Sequence, residues 1–332
     1  MSDFTPAITA LSQASSLFIT AHVGPDGDTL GTMLGLRHAL CATRPALRVD
    51  CVISGKMPDV YRFMPGIETV KDCETATDLL ERYDLAISVD CGSLDRLGPA
   101  GAHFSRAATS LNIDHHVSNE QFGQINLVVP QAAASGEVLF DLLQAMDVPV
   151  PPEAATCLYT AIVTDTGGFK YSNTSAKVME TVAALIRCGA DPEFIFKQLY
   201  EEQPFEKLAL HADAFLQTRF EADQRIAWTL VDQDLLKKHQ ALEEHVDGLV
   251  ENLRRINCVL VAVVLKHTRP GETRVSCRSD DHRIDVSQVM QSFGGGGHKM
   301  AAGCTIAAPP REAWAQLLPR FREAVQPALA VT

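Results

Sequence analysis

Short apolar runs alternate with amphipathic stretches along residues 1–190 of the chain. SLFIT (16–20) reads as a short buried strand, and ALRVDCVI (46–53), LAISVD (85–90) and SLNID (110–114) as further strands. GTMLGLRHAL, which follows an acidic loop, reads as a helix. So does SGEVLFDLLQAM (135–146), where Val138, Leu139, Leu142, Leu143 and Met146 share one face, and another helix starts near Ala154. This alternation predicts an α/β fold with a mostly parallel sheet flanked by helices.

The pattern then changes. From Asp191 to about Phe220 it predicts continuous helix, with Phe194, Leu199, Leu208 and Phe215 spaced among charges. Beyond it, Leu242, Val246, Leu249, Val250, Leu253 and Ile256 form a helical stripe. NCVLVAVVLKH (257–267) predicts a strong strand, TRPGET (268–273) a turn and RVSCRS (274–279) the return strand of a hairpin. The expected division is an N-terminal α/β domain over 1–190, a helical connector over 191–220 and a smaller α/β domain over 221–332.

With 332 residues, 46% hydrophobic and 21% charged, the chain can bury a sizeable core in each of two domains. No apolar run reaches membrane-spanning length, and the N-terminus lacks the basic start and apolar core of a signal peptide, so a cytoplasmic location is expected. The nine cysteines form no C-x-x-C pair and read as reduced packing residues. A net charge of −12 leaves no broad basic face for long DNA or RNA. Any nucleic-acid substrate should be short and held by local groups.

Four groups carry candidate chemistry: His22, Asp26 and Asp28 in HVGPDGDTLG; Asp90 at a strand end; Asp114-His115-His116 after SLNI; and Asp165 in TAIVTDTGG. Singly, each has a bland reading, as a turn, a helix cap or a surface histidine. The first three follow strand ends, where open parallel sheets bind ligands. Together they would crowd at least four carboxylates and three histidines into one crevice. Divalent cations relieve such crowding, and oxygen and imidazole ligands without thiolates favour Mn²⁺ or Mg²⁺. Two such ions suit phosphate ester hydrolysis.

In the C-terminal part, Gly294 to Gly297 precede His298 and the small residues Ala301-Ala302-Gly303, a run whose backbone a phosphate can approach closely. Arg274, Ser276 and Arg278 alternate onto one strand face, and Arg278 is the candidate for a bidentate phosphate contact. Tyr171, in GFKYSN just after Asp165, lies within reach of a substrate.

H-x-x-P-D-G-D (22–28), Asp90, D-H-H (114–116) and T-D-T-G (164–167) resemble the four motifs of the DHH phosphoesterases, and GGGGHKMAAG (294–303) resembles the glycine-rich signature of the DHHA1 domain. Val-Gly stands before Pro25 where an Asn-type residue is common; no ligand position is lost. Within the superfamily the layout is similar to the bacterial nano-RNase and 3′-phosphoadenosine 5′-phosphate phosphatase group. The resemblance implies one metal on His22, Asp26 and Asp90 and a second on Asp28, Asp90, His115 and Asp165. Mn²⁺ is the first choice, with Mg²⁺ or Co²⁺ as alternatives. It implies catalytic roles for Asp90, Asp114 and His116, with His116 acting on the scissile phosphate. Arg278, Ser279, Gly295, Gly296, Gly297 and His298 would bind substrate. The implied reaction is attack by a metal-activated hydroxide, in a cleft between the domains, on oligonucleotides of two to five residues, linear dinucleotides such as pGpG or pApA, or 3′-phosphoadenosine 5′-phosphate. A homodimer is a further expectation. The competing readings are a pyrophosphatase-like hydrolase, which would lack the Gly-Gly-Gly-His run, and an idle nucleotide sensor, which would lack a ligand.

Overall fold

Each strand predicted in the first 190 residues is present in a computed structural model of the chain, which describes residues 3–329. Two units separate, one ending at Glu202 and the other starting at Gln203. The first runs α1 (Thr5–Gln13), β1 (Ser16–Ala21), α2 (Gly27–Thr43), β2 (Arg48–Ile53), β3 (Lys71–Asp72), β4 (Leu85–Val89) and α3 (Gly101–Arg106). It continues with β5 (Thr109–Asp114), β6 (Ile125–Val128), α4 (Ser135–Ala145), α5 (Pro152–Asp165), α6 (Ala176–Arg187) and α7 (Pro192–Phe196).

The sheet order is β3-β2-β1-β4-β5-β6 and every pairing is parallel. Both faces are apolar, as a sheet covered on two sides requires. Leu17, Ile19 and Ala21 of β1 join the core beneath α2, α4 and α5, while Phe18 points to a second cluster with Val52, Tyr83, Leu97 and Phe104. Winding reverses between β1 and β4, so the crevice at their C-terminal ends is where such sheets bind ligands. Ala21 pairs with Val89 and Val89 with Ile113, which sets His22, Asp90 and Asp114 side by side at that edge.

Glycines on α2 complete the arrangement. Gly27, Gly31 and Gly35 repeat every four residues and form one stripe against α5. A Cβ at Gly31 would lie 2.4 Å from the Cys157 carbonyl oxygen, and one at Gly27 would lie 2.5 Å from the Thr164 side chain. This close approach lays the N-terminus of α2, with Asp28, beside the C-terminus of α5, with Asp165.

The second unit begins with α8 (Phe205–Leu216), β7 (Arg219–Glu221), β8 (Ile226–Asp232), α9 (Gln233–Lys238), α10 (Leu249–Arg254) and β9 (Val261–Arg269). It ends with β10 (Glu272–Ser279), α11 (Val286–Gln291), β11 (Gly296–His298), β12 (Ala301–Ile306) and α12 (Pro310–Leu329). Its sheet, β11-β12-β10-β9-β8-β7, is antiparallel apart from the β8–β9 pair. Helices α11 and α12 cover one face; α8, α9 and α10 cover part of the other. Trp228 and Trp314 stack on each other at 4.5 Å as packing residues.

Two predicted helices are divided. Residues 191–220 hold α7, a π-helical turn (Lys197–Glu201) and α8, with Pro204 unable to extend the helix before it. The stripe from Leu242 to Ile256 becomes a 3₁₀ turn (Glu243–Val246) and α10, parted at Gly248, whose φ is 89°. Val246, Leu249, Val250 and Leu253 still meet one core, with Ile256 partly buried against it, whereas Leu242 is 55% exposed, so the stripe reported burial for its later members and not for its first. The turn between β9 and β10 narrows to Pro270-Gly271. Among the described residues no helix is long and apolar enough to cross a membrane.

The stripe on α2 is testable. Replacing a helical glycine by alanine gains about 1 kcal/mol of propensity, whereas overpacking against backbone costs about 1–3 kcal/mol or more. Because the obstacle at Gly31 is a carbonyl oxygen, Gly31→Ala should destabilise the protein by about 2 kcal/mol, read as a lower urea midpoint at unchanged slope. An unchanged midpoint would show that α2 and α5 are free to separate.

Candidate metal centre

Where β1 ends, the chain turns at Gly24 and enters α2. Asp26 caps that helix, its Oδ1 accepting from the Thr29 N–H at 3.0 Å. Its Oδ2 lies 4.0 Å from His22 Nε2. Asp28, in the first turn of the helix, is buried and faces the other way. It accepts from the backbone N–H groups of Ser135 (2.7 Å) and Gly136 (2.9 Å), at the N-terminus of α4, and from the Thr32 hydroxyl (3.0 Å). The motif is therefore both turn and helix start, and the helix sends its two carboxylates to different sides.

Asp90 stands at the centre. It has a left-handed backbone (φ 51°), which Asp tolerates better than most residues, and the chain leaves β4 there. His22 Nε2 lies 3.7 Å from its Oδ2, and His115 Nε2 and His116 Nδ1 each lie 3.6 Å from its Oδ1. The Thr29 hydroxyl donates to Asp90 at 3.0 Å and also touches His22 Nε2 at 3.0 Å, while Ser135 Oγ donates at 3.2 Å. His115 Nε2 reaches Asp28 at 3.8 Å and Asp165 at 3.4 Å.

Three overlapping donor groups result: His22, Asp26 and Asp90; Asp28, His115 and Asp165; and Asp90, Asp114, His115 and His116. The seven residues singled out for metal contact or its immediate support in the first unit, with His116, thus converge on one edge of the sheet. The imidazoles are oriented for ligation. His22 Nδ1 lies 3.0 Å from the Val23 carbonyl and His115 Nδ1 lies 3.3 Å from the Ala132 carbonyl. A ring that donates from Nδ1 to a carbonyl turns its Nε2 towards the carboxylates, the position from which it ligates a cation once that nitrogen gives up its proton. The donor set fits divalent ions.

The electrostatics show the same demand. Burial pushes Asp28 well above the ordinary carboxylate range, and the charges of Asp90 and Asp165 push it further; the three donors to Asp28 favour the opposite, ionised form. Burial likewise raises Asp165 to about 7, against the pull of His115 and with added repulsion from Asp90. For His115, burial favours the neutral ring, but Asp90, Asp28 and Asp165 outweigh it and push the ring up to about 10. Burial opposes ionisation of Asp90 too, yet His115, His22 and His116 hold it below the usual range. Without cations, protonated histidines balance the aspartates.

Asp114 is fully buried and sits behind the histidines. Its Oδ1 accepts from the His115 backbone N–H (2.8 Å) and from His116 Nδ1 (2.7 Å), and its Oδ2 from Asn119 (2.5 Å). Burial lowers the His116 pKa, but the Asp114 hydrogen bond and the Asp90 charge reverse this, so the net shift is upward.

In the second unit, the face that α8–α10 leave open holds a cavity of about 630 Å³. Arg274, Ser276 and Arg278 line it together with Lys266, Gly294, Gly295 and Gly303. Arg278 is held by Glu251, whose Oε1 accepts from Nε (2.9 Å) and lies 2.8 Å from the terminal nitrogen. Ser279 departs from the expectation of substrate contact. It falls on the opposite face of β10, fully buried, and its hydroxyl donates to the Asp281 carbonyl and accepts the Asp281 N–H, which shapes the following turn. Gly296, Gly297 and His298 form β11 and pair with β12 outside the cavity lining. Gly295 is needed for strand contact as well: a Cβ there would lie 2.2 Å from the Gly303 carbonyl oxygen.

Thr29, Ser135, Gly136, Thr32 and Asn119 were not anticipated. Ser135 lies 107 residues from the Asp28 it binds, and nothing local to its segment marks it. Thr29, directly after Asp28, could have been found by placing the helix start at Gly27.

Comparison with known proteins gives the same outline. The family profile for the DHH family, N-terminal domain, matches residues 16–162, and that for the DHHA1 domain matches residues 219–330. The chain is similar to the bifunctional oligoribonuclease and PAP phosphatase NrnA of Thermus thermophilus, at 28% identity over 290 residues, 87% of this chain and 84% of the relative. It is also similar to the protein of the same name from Bacillus subtilis, at 25% identity over 305 residues, 91% and 93%. A solved exopolyphosphatase-related protein from Bacteroides fragilis shares the fold with a TM-score of 0.90 at 23% identity, covering 98% of this chain and 97% of that one.

Asp165 provides a pH test. Its folded pKa of about 7 exceeds the ordinary 3.8, so between pH 4 and 7 the folded state holds a proton that the unfolded state has lost. Stability then falls as pH rises. In metal-free protein, wild type should lose stability relative to Asp165→Asn across that interval, and saturating Mn²⁺ should remove the difference in slope. Parallel urea-stability curves for the two proteins would contradict this.

Proposed function

We propose that this chain, a phosphoesterase of the DHH family with a DHHA1 domain, hydrolyses very short oligonucleotides and 3′-phosphoadenosine 5′-phosphate. The observation that carries the reading is the shared position of Asp90 between donor groups whose histidines are already fixed through Nδ1. His22, Asp26 and Asp90 would hold one divalent cation, and Asp28, Asp90, His115 and Asp165 a second, with Mn²⁺ the first choice. Such ions, when bound, offset the carboxylate charge, polarise a phosphoryl oxygen and make a nearby water acidic enough to attack.

The chain's own groups do the rest. Asp114 fixes His116 with Nδ1 protonated and favours the charged ring, which suits it to contact the scissile phosphate and give a proton to the leaving oxygen. In the second unit Lys266, Arg274 and Arg278 line the cavity together with Asp247 and Glu251, which leaves an anion a small local excess of positive charge inside a chain of net charge −12. Arg278, anchored by Glu251 and the Cys277 carbonyl, would offer its remaining terminal N–H groups there, with Gly294 and Gly295 allowing close approach. The short substrate follows from that confined excess, from the absence of charge for a long backbone, and from relatives named as oligoribonuclease and PAP phosphatase.

One panel tests the reading: pGpG, pApA, a 5-mer RNA, 3′-phosphoadenosine 5′-phosphate and pyrophosphate, each with Mn²⁺ and with chelator, on wild type and Arg278→Ala. Nucleotide substrates should turn over with Mn²⁺ and stop with chelator. In Arg278→Ala the KM should rise about tenfold or more, the cost of one charged hydrogen-bonding group, while Mn²⁺ affinity is unchanged. Preference for pyrophosphate would overturn the substrate assignment, and equal loss of metal and substrate binding would overturn the role given to Arg278.

A further inference from the structure

The loop that follows Asp165 carries a feature that hydrolysis does not use. Thr166 to Thr174 is tightly fastened: Gly168 N–H donates to the Val163 carbonyl (2.7 Å), Tyr171 N–H to the Thr166 carbonyl (3.1 Å), and Asn173 Nδ2 to the Asp165 carbonyl (3.1 Å) and the Ala133 carbonyl (3.2 Å). Gly167, at φ 59°, has the Tyr171 ring laid across it, so close that a Cβ there would come within 2.4 Å of the ring. The next residue, Gly168, faces the Phe196 ring. Phe196 meets Tyr200 at 4.6 Å between centroids, and the Tyr200 hydroxyl returns to the Val163 carbonyl at 3.4 Å. Three aromatic rings thus border the residues around Asp165, and all remain open to solvent: Tyr171 is 44% exposed, Phe196 42% and Tyr200 41%.

Three neighbouring aromatic rings left exposed together form an apolar patch of the kind that marks an interaction site. The adjoining donor groups limit what the partner is. Asp165 belongs to the donor cluster assigned to the cations that would face the scissile phosphate, and a nucleotide phosphate has a base attached through its sugar. A flat base is what an exposed ring held by glycine accommodates, and stacking of this kind discriminates little between bases. We propose that Tyr171 stacks the nucleobase adjoining the scissile phosphate, with Phe196 and Tyr200 extending the same apolar border. The inference rests on the substrate class proposed above. It adds a base-binding position that the metal centre and the Arg278 cavity do not supply.

The test uses Mn²⁺-loaded enzyme, Tyr171→Leu and Tyr171→Phe, a dinucleotide with 2-aminopurine as one base, and its abasic counterpart. Wild type and Tyr171→Phe should quench 2-aminopurine emission on binding; Tyr171→Leu should not. Tyr171→Leu should raise the KM for the dinucleotide by about fivefold or more, as expected for the loss of one stacked base, with kcat less affected and the abasic substrate unaffected. An unchanged KM, or an equal rise for the abasic substrate, overturns the proposal while the functional reading stands. Dissociation of an oligomer in Tyr171→Leu at unchanged KM would assign the rings to contact between copies instead, and also overturns it. If wild type turns over neither dinucleotides nor 3′-phosphoadenosine 5′-phosphate, the substrate reading falls and the base site with it.

Discussion

Asp26, Asp28, Asp90 and Asp165 are drawn towards one edge of a buried sheet, and the repulsion between them is the constraint to which the surrounding structure responds. Two unit charges 4 Å apart repel by about 4 kcal/mol at the effective dielectric of protein sites, so several such pairs would rival the stability of a whole domain. The response has three parts. His22, His115 and His116 lie within 4 Å of the carboxylates. The N-terminus of α4 directs two N–H groups at Asp28. Hydroxyls of Thr29, Thr32 and Ser135 fill remaining acceptor positions. These contacts make the cluster tolerable in the absence of cations, and the Nδ1 contacts of His22 and His115 leave it ready to receive them.

The backbone makes the crowding unavoidable. Register alone sets His22, Asp90 and Asp114 in a row at the point where the winding of the sheet reverses. The glycine stripe on α2 then brings α5 into backbone contact and adds Asp165 to Asp28. Helix α2 therefore contributes a cap, a buried carboxylate and a packing surface from a single segment. A side chain on that stripe would part α2 from α5 and, with them, the two halves of the second donor group.

Much of this was legible in the sequence, and the portion that was not has physical causes. Strand positions and the order of motifs were readable because burial and turn chemistry are local properties: β1, β4 and β5 end where apolar runs meet Asp or His. The start of α2 was placed too late, since Pro-Asp-Gly-Asp also reads as a surface turn; the Asp26 cap shows that the turn is the first step of the helix. Periodicity could not report that Gly248 parts a helical stripe, because the side chains on either side still meet the same core. Ser279 was expected at the substrate only through the family resemblance, yet successive residues of a strand point to opposite faces, and Ser279 lies buried behind Arg278. Ser135 acts on Asp28 and Asp90, which only the tertiary fold brings near.

On the proposed reading, this edge would hold two divalent cations that share Asp90 as a ligand. Calorimetric titration of Mn²⁺ into metal-free protein tests it directly, with wild type and Asp90→Asn compared at one pH. The expected result is two ions per wild-type chain, with both sites weakened together in Asp90→Asn because the shared ligand is lost. Binding of no ion by wild type, or two undiminished sites in Asp90→Asn, would contradict the account.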